Sequence, residues 1–293
     1  MDFETVFASR RAAVEAALEQ YLHTADDVPP EILEAMCYSI FAGGKRIRPV
    51  LLLAAYELFE SDITPAVPYA CALEMIHTYS LIHDDLPAMD NSDLRRGRKT
   101  NHVVYGEAMA ILAGDALLNY AFETMLAAPF PDAKRALSAV AYMAKCSGIY
   151  GMIGGQVLDI QSENKQISPS DLRRLHEKKT SGLIQAAVCG GAILGGASQT
   201  QVAGLELYAC HLGLAFQIKD DILDVEGDSA ALGKPTGCDE EANKNTYVTL
   251  YGLEKARELL LTHTKTALDA LAPFGKKAEF LQAMTEYLLH RNK

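Results

Sequence analysis

Six aspartates fall into two groups set in apolar sequence. Asp84, Asp85 and Asp90 lie in HDDLPAMD after YSLI, and Asp220, Asp221 and Asp224 lie in KDDILD after GLAFQI. Carboxylates gathered at the end of an apolar helix repel one another unless a cation sits among them. On a helix turning about 100° per residue, Asp220 and Asp224 are about 40° apart and share a face. Asp84 and Asp90 would differ by about 240° on an unbroken helix. Pro87 between them removes an i−4 hydrogen bond, so the helix is expected to end or bend there and bring Asp90 back. Hard oxygen donors, few per ion and completed by substrate phosphates, are the magnesium pattern, and no His/Cys set has zinc spacing. One such cluster reads equally well as a solvated helix end; two matching clusters favour the metal.

A phosphorylated ligand needs local positive charge, and three basic stretches supply it. GGKRIRP holds Lys45, Arg46 and Arg48, DLRRGRKT holds Arg95, Arg96, Arg98 and Lys99, and HEKKTSG holds Lys178, Lys179 and Thr180. Arginine forks suit phosphate oxygens bidentately, while lysine acts as a point charge. Any one patch alone would pass for ordinary surface. Their recurrence beside the acid clusters matters because the 293-residue chain is acidic overall, with a formal charge of −11. That balance excludes bulk nucleic-acid binding. A P-loop and a dinucleotide-type glycine fingerprint are both missing.

The elements that would carry these residues read as helices. Met109, Leu112, Ala116 and Tyr120 recur at helical spacing on one predicted face, and Val50 to Phe59 is apolar nearly all round, as in a buried helix. No convincing strand set is found. Short breaks at 61–68, 128–132 and 163–171 read as helix-to-helix turns, with Ser168 placed to cap a helix opened by Pro169. The uncharged stretch 180–205 carries six glycines and three glutamines, which suits a closely packed buried helix better than a membrane span. The expected fold is all-α, a single domain over 1–293 built as a bundle of about ten or more helices around a deep central cavity. The segment 226–245, with Lys234 and Lys244, is too long for an ordinary connection and reads as a functional lid. Six scattered cysteines with no CxxC pair and an N-terminus without an apolar leader point to a reducing, cytoplasmic setting with no membrane span. Taken from the residues alone, the chain is an α-helical enzyme of magnesium and diphosphate chemistry, with an apolar cavity suited to a hydrocarbon tail.

DDLPAMD followed by DLRRG, and DDILD, resemble the two aspartate-rich motifs of the trans-isoprenyl diphosphate synthases. GGKRIRP, EMIHTYSLIHDD, LAGDALL, GGQVLD and EKKTSGL fall in that family's order, so the resemblance covers essentially the whole chain. It implies a homodimer of helical subunits whose acid motifs face each other. Asp84, Asp85, Asp90, Asp220, Asp221 and Asp224 would hold Mg²⁺, three ions when diphosphate is bound. Arg95, Lys179, Thr180, Gln217 and Lys234 match the allylic diphosphate site, and Lys244 matches a lysine of the closing loop. Gly44, Lys45, Arg48, His77 and Arg96 match the isopentenyl diphosphate site; Gln156 and Asp159 match positions near the catalytic centre.

The chemistry implied is ionisation of the allylic diphosphate, attack by the isopentenyl double bond, and proton loss. Magnesium and the basic side chains would stabilise the leaving group, Thr180 and Gln217 would stabilise the cation, and the lid would exclude water. Tyr79 and Ser80, five and four residues before Asp84, match the chain-length positions; an aromatic side chain about 7.5 Å down the helix would act as a floor. Together with the two-residue insertion in the first motif, this resembles bacterial farnesyl diphosphate synthases and implies a C15 product. The alternatives are a geranyl or geranylgeranyl diphosphate synthase, a non-catalytic regulatory subunit, from which two intact acid motifs discriminate, and a terpene cyclase, against which DDILD and GGKRIRP count. Asn91-Ser92 and Asn243 depart from the family pattern, at the acidic rim and the lid respectively. His83 receives no role.

Overall fold

The computed structural model describes residues 2–23, 27–226 and 244–290. Helices dominate: α1 (Phe3–His23), α2 (Pro30–Ile40), α3 (Ile47–Tyr56), α4 (Val67–Asp84), α5 (Asn101–Tyr105), α6 (Glu107–Ala127) and α7 (Ala133–Ser147). After them come α8 (Met152–Ser162), α9 (Pro169–Lys179), α10 (Ser181–Leu194), α11 (Gln199–Glu226), α12 (Tyr247–Tyr251), α13 (Leu253–Ala270) and α14 (Glu279–His290). The all-α architecture expected from the hydrophobic periodicity is the one found.

Local chemistry sets the helix ends. Ser168 Oγ accepts the Asp171 N–H (3.1 Å) and Pro169 opens α9, while Asp132 caps α7 by accepting from the amides of Lys134 and Arg135. The break at 128–132 separates helices as expected, and that at 163–171 does so over 163–168, its last three residues being the first turn of α9. In 61–68 the last residues are already helical, because a 3-10 turn over Thr64–Ala66 runs straight into α4. The apolar run that begins at Val50 outlasts its helix: α3 stops at Tyr56 and residues 57–59 form a turn.

A two-stranded hairpin is the one departure from helix among the described residues. β1 (Leu94–Arg95) and β2 (Arg98–Lys99) pair antiparallel, Arg95 opposite Arg98. Strands of two residues carry no alternation to detect. Their signal is the turn Arg96-Gly97, where both φ angles are positive, +54° and +74°, matching the twist of paired strands.

One buried cluster runs through α1, α3, α4, α6, α7, α10, α11 and α14, from Phe7 to Leu288. At its centre α10 is buried almost throughout and packs on α3, α7 and α11. Its 14 residues are too few for the roughly 20 that span a membrane, and the uncharged stretch breaks at Gly195–Gly196 before α11 begins. Among the described residues one segment, 133–162, has the length and composition of a membrane crossing; in the fold it is divided between α7 and α8. Cys37, Cys71, Cys146, Cys189 and Cys210 are free thiols, and Cys238 lies outside the described residues.

Helix α6 differs from its expected orientation. Its buried stripe is Ala110, Ala113, Gly114, Leu117 and Ala121, one residue on from the Met109–Tyr120 face, and Leu112 is exposed. The small residues turn toward α4 because two long helices approach closely only where side chains are short. The same rule governs α3 and α10: a Cβ on Gly191 would stand 2.1 Å from the Leu52 carbonyl oxygen. Gly191→Ala is expected to force those helices apart and destabilise the fold by about 1–3 kcal/mol, seen as a lower denaturation midpoint with unchanged m-value.

Candidate active site

The first acid motif is shaped by the end of α4. Past Pro87 the chain folds back, and the Asp90 N–H donates to the Asp84 carbonyl (2.9 Å) while the Ser92 N–H donates to that of Asp85 (3.1 Å). Asp90 therefore returns beside Asp84, as the proline required. Gln156 Nε2 of α8 donates to Asp84 Oδ1 (2.6 Å), and Lys244 Nζ to Asp90 Oδ2 (3.2 Å). Burial raises the Asp84 pKa, opposed by Lys179 and reinforced by the Asp90 charge. Asp85 is buried, and its carboxylate takes the Arg95 fork: Nε lies 2.9 Å from both oxygens and Nη2 2.8 Å from Oδ1. Burial raises its pKa too, against the pull of that guanidinium.

The second motif lies near the end of α11. Asp220 is half-buried, whereas Asp221 and Asp224 are buried. Asp221 Oδ1 accepts from Gln217 Nε2 (2.8 Å), and Oδ2 accepts the Tyr247 N–H (2.7 Å). Thr180 Oγ1 in turn donates to Gln217 Oε1 (2.7 Å). Two short spans of backbone thus join the motifs. Lys179 bears on Asp84 while its neighbour Thr180 leads through Gln217 to Asp221. Lys244 reaches Asp90, and three residues later Tyr247 reaches Asp221. Lys179 also pairs with Asp159 (2.5 Å). Helix α8 comes this close because Gly155 has no side chain, since a Cβ there would lie 2.2 Å from the Lys179 nitrogen.

The basic strap between α2 and α3 divides its arginines. Arg46, buried and left-handed (φ +53°), donates to Glu74 Oε1 (2.7 Å) and to the Ile40 carbonyl (2.6 Å). It anchors the strap rather than facing a ligand, and so leaves the basic cluster suggested by GGKRIRP. Arg48 Nη1 donates to His77 Nε2 (3.2 Å). Burial, with the charges of Arg48, Arg96, Arg95 and Arg46, pushes the His77 pKa well down, so the ring is the neutral acceptor that orients Arg48. Arg96 lies flat on the strap and bonds the Gly43 carbonyl. Gly44 permits this, because a Cβ there would sit 2.7 Å from Arg96 Nη1. Arg98 stacks over the Tyr38 ring.

Asp84, Asp90, Arg95, Gln156, Asp159, Lys179, Thr180, Gln217, Asp221 and Lys244 are thus linked in one network, with Lys45, Arg48, His77 and Arg96 on the strap side. Tyr79 is buried in α4, and the Ser80 hydroxyl donates to the His77 carbonyl (2.8 Å). Lys234, Asn243 and all of the expected lid 226–245 except its ends at 226 and 244–245 lie outside the described residues. Three contributors escaped the sequence reading. Glu74 is a lone acid in a buried helix, a position that demands a partner. His176 is buried with both ring nitrogens unpartnered, its pKa lowered by burial to about 4, and it stacks on Tyr247 (5.5 Å). His176 opens the charged stretch HEKKTSG, whose lysines drew the reading, and Tyr247 stands in no charged pattern.

Among the described residues no three of His, Cys, Asp or Glu converge as a metal site. The donors nevertheless fit magnesium in kind: they are oxygens only, few per ion, with coordination left for phosphate. Lys244 on Asp90 and Lys179 beside Asp84 supply positive charge where these carboxylates require it.

A family model described as polyprenyl synthetase matches residues 29–284. The chain is 47% identical to the farnesyl diphosphate synthase of Geobacillus stearothermophilus over 91% of its length and 90% of that protein. It is 45% identical to a chloroplastic geranylgeranyl pyrophosphate synthase of Catharanthus roseus, over 99% and 82% of the two chains. Among solved structures, an FPP/GFPP synthase from Zymomonas mobilis superposes with a TM-score of 0.88 at 34% identity, covering 98% of this chain and 99% of that one.

The raised Asp84 pKa has a consequence for stability. The folded carboxyl holds its proton more tightly than the unfolded one, so its ionisation costs stability above the folded pKa and nothing below the unfolded value. Without divalent cation, Asp84→Asn is expected to raise Tm at neutral pH by about 1–2 °C, the shift of roughly 1 kcal/mol in a chain this size. The gain should shrink as the pH falls into the carboxylate range, while turnover is lost throughout; melting curves across pH read the first and a product assay the second.

Proposed function

We propose substrates, a product and an ion for this chain, which belongs to the polyprenyl synthetase family: it is a trans-prenyltransferase that condenses isopentenyl diphosphate with dimethylallyl and then geranyl diphosphate to give farnesyl diphosphate, with Mg²⁺. The observation that carries this reading is the joining of two acid motifs through Lys179-Thr180 and Lys244–Tyr247, with a basic strap on the other side of Asp85 and Arg95. Acids alone would bind a cation and bases alone an anion. Both together suit a metal-bridged diphosphate beside a second, metal-free one.

Asp84, Asp85, Asp90, Asp220, Asp221 and Asp224 are the candidate magnesium ligands. Bound there, magnesium supplies positive charge against the diphosphate leaving group. Asp85 and Asp221 also accept from Arg95 and from Gln217 and Tyr247, and so position those partners. Arg95, Lys179, Lys244 and, in the proposed lid, Lys234 hold the allylic diphosphate, which leaves with the electron pair of its C–O bond. Lys45, Arg48 and Arg96 hold isopentenyl diphosphate, with His77 turning Arg48 toward it and Gly44 admitting Arg96. The isopentenyl double bond then joins the allylic carbon, and the departed diphosphate accepts the proton lost from the adduct. Thr180 and Gln217 direct their dipoles along this path, and Gln156 and Asp159 keep Asp84 and Lys179 in place.

Tyr79 supports the C15 product. Its ring is buried about 7.5 Å along α4 from Asp84, and its hydroxyl has no hydrogen-bond partner; the residue acts by bulk, next to Ser80 in the chain. The geranylgeranyl reading draws on the similar relative of that activity, and it requires a deeper floor than Tyr79 leaves.

Residues 1–293 are read as one domain, on the core that runs from Phe7 to Leu288. A second copy of the chain is the proposed partner. α6 exposes Ile111 and Leu112, and α8 exposes Ile153, Val157 and Ile160 at helical spacing, an apolar face that water does not favour. A cytoplasmic enzyme without a membrane span fits α10, whose apolar length is buried in the bundle.

Given Mg²⁺, isopentenyl diphosphate and dimethylallyl diphosphate, the protein is expected to accumulate C15 product and to stop when the metal is chelated. Tyr79→Ala should yield C20 and longer chains, and Tyr79→Phe should stay at C15. Wild-type product of C20 overturns the chain-length assignment, and turnover in chelator overturns the role of the ion.

A further inference from the structure

We propose that His83 is a positioning residue for product length: it braces the Tyr79 ring against α6 and so fixes the height of the cavity floor. The inference rests on Tyr79 being that floor. Residues 79 and 83 are one helical turn apart on the same face of α4. Their rings meet edge to face, with centroids 5.7 Å apart and planes at 79°, a favoured aromatic arrangement. Because the Tyr79 hydroxyl has no partner, no hydrogen bond holds that ring. Its orientation comes from packing, and His83 is an aromatic neighbour on its edge.

His83 is itself held by α6 in three ways. Its Nε2 is 3.0 Å from the Ile111 carbonyl oxygen, so Nε2 carries the proton and donates. Asp115 Oδ1 stands 3.8 Å from the same nitrogen. Gly114 leaves the hollow in which the imidazole lies, since a Cβ at that position would stand 2.1 Å from Nε2. A carbonyl, a carboxylate and a missing side chain within five residues of one helix therefore define where this ring can sit. Asp84, the next residue, faces Gln156 and Lys179 instead. His83 thus lies beside the acid motif in sequence while its contacts are with Tyr79 and with α6. The product limit is on this account a property of α4 and α6 jointly. A ring in α4 sets the height, and a groove in α6 keeps that ring from tilting away when a growing chain presses on it.

The test uses the full-length protein with Mg²⁺, isopentenyl and dimethylallyl diphosphates, and reads the ratio of products longer than C15 to C15. His83→Ala is expected to raise that ratio at least fivefold with the KM for isopentenyl diphosphate unchanged within twofold. His83→Phe, which keeps a ring against Tyr79, should return most of the product to C15. Gly114→Ala, which expels the imidazole from its hollow, should lengthen the product as His83→Ala does, and it decides the matter if His83→Ala does not fold. In a Tyr79→Ala background, His83→Ala should add nothing, because the ring it braces is gone. Lengthening by Tyr79→Ala but by neither His83→Ala nor Gly114→Ala overturns the brace and leaves the floor standing. Tyr79→Ala that still stops at C15 overturns both.

Discussion

Like-charged carboxylates brought together at the ends of apolar helices are held against their own repulsion, and much of the surrounding structure answers that constraint. Lysine and glutamine side chains from three other elements reach Asp84 and Asp90, and a guanidinium fork and a backbone amide take the carboxylates that point inward. Compensation by mobile lysines differs from compensation by the fixed fork of an arginine. A lysine ammonium on a long stem can exchange a carboxylate for a phosphate as ions and ligand arrive. Arg95, bound bidentately to buried Asp85, stays where the fold put it.

The basic side obeys the complementary rule. A loop that presents several cations to one ligand needs an anchor, and the anchor here is an arginine turned inward onto Glu74. Replacing either partner would leave an unpaired charge in the core at a cost of about 3–5 kcal/mol. His77, kept neutral by burial among arginines, adds an acceptor without adding charge. Beneath the second motif, the His176–Tyr247 stack holds α9 to α12 with no hydrogen bond from either ring. The charged side chains of the site and those that hold them in place therefore belong to different chemical types, charged in front and aromatic or paired behind.

Close helix approach is the other recurring device. Gly155, Gly191 and Gly114 each stand where a methyl group would strike a neighbouring element. Each serves a different end: the reach of Lys179, the packing of the central helix, and the seat of His83. The helix packing and the charged site are thus tuned by backbone spacing as much as by side-chain identity.

Much of this molecule was legible in its residues. Helical periodicity gave an all-α chain, and Pro87 implied the return of Asp90 to Asp84. These readings succeed because they depend on spacing along one helix or across one turn, which covalent geometry and hydrogen bonding dictate locally. The division of labour within each motif was not legible. DD pairs are identical in composition, yet Asp85 turns to Arg95 and Asp221 to Tyr247, and of the strap's basic residues Lys45, Arg46 and Arg48 it is Arg46 that points into the core. The burial of α6 one residue away from its apolar stripe, and the service of Glu74, His176 and His83, were likewise decided in three dimensions. Direction of a side chain depends on which distant element packs against it, and contacts between residues tens of positions apart exist only once the helices have met.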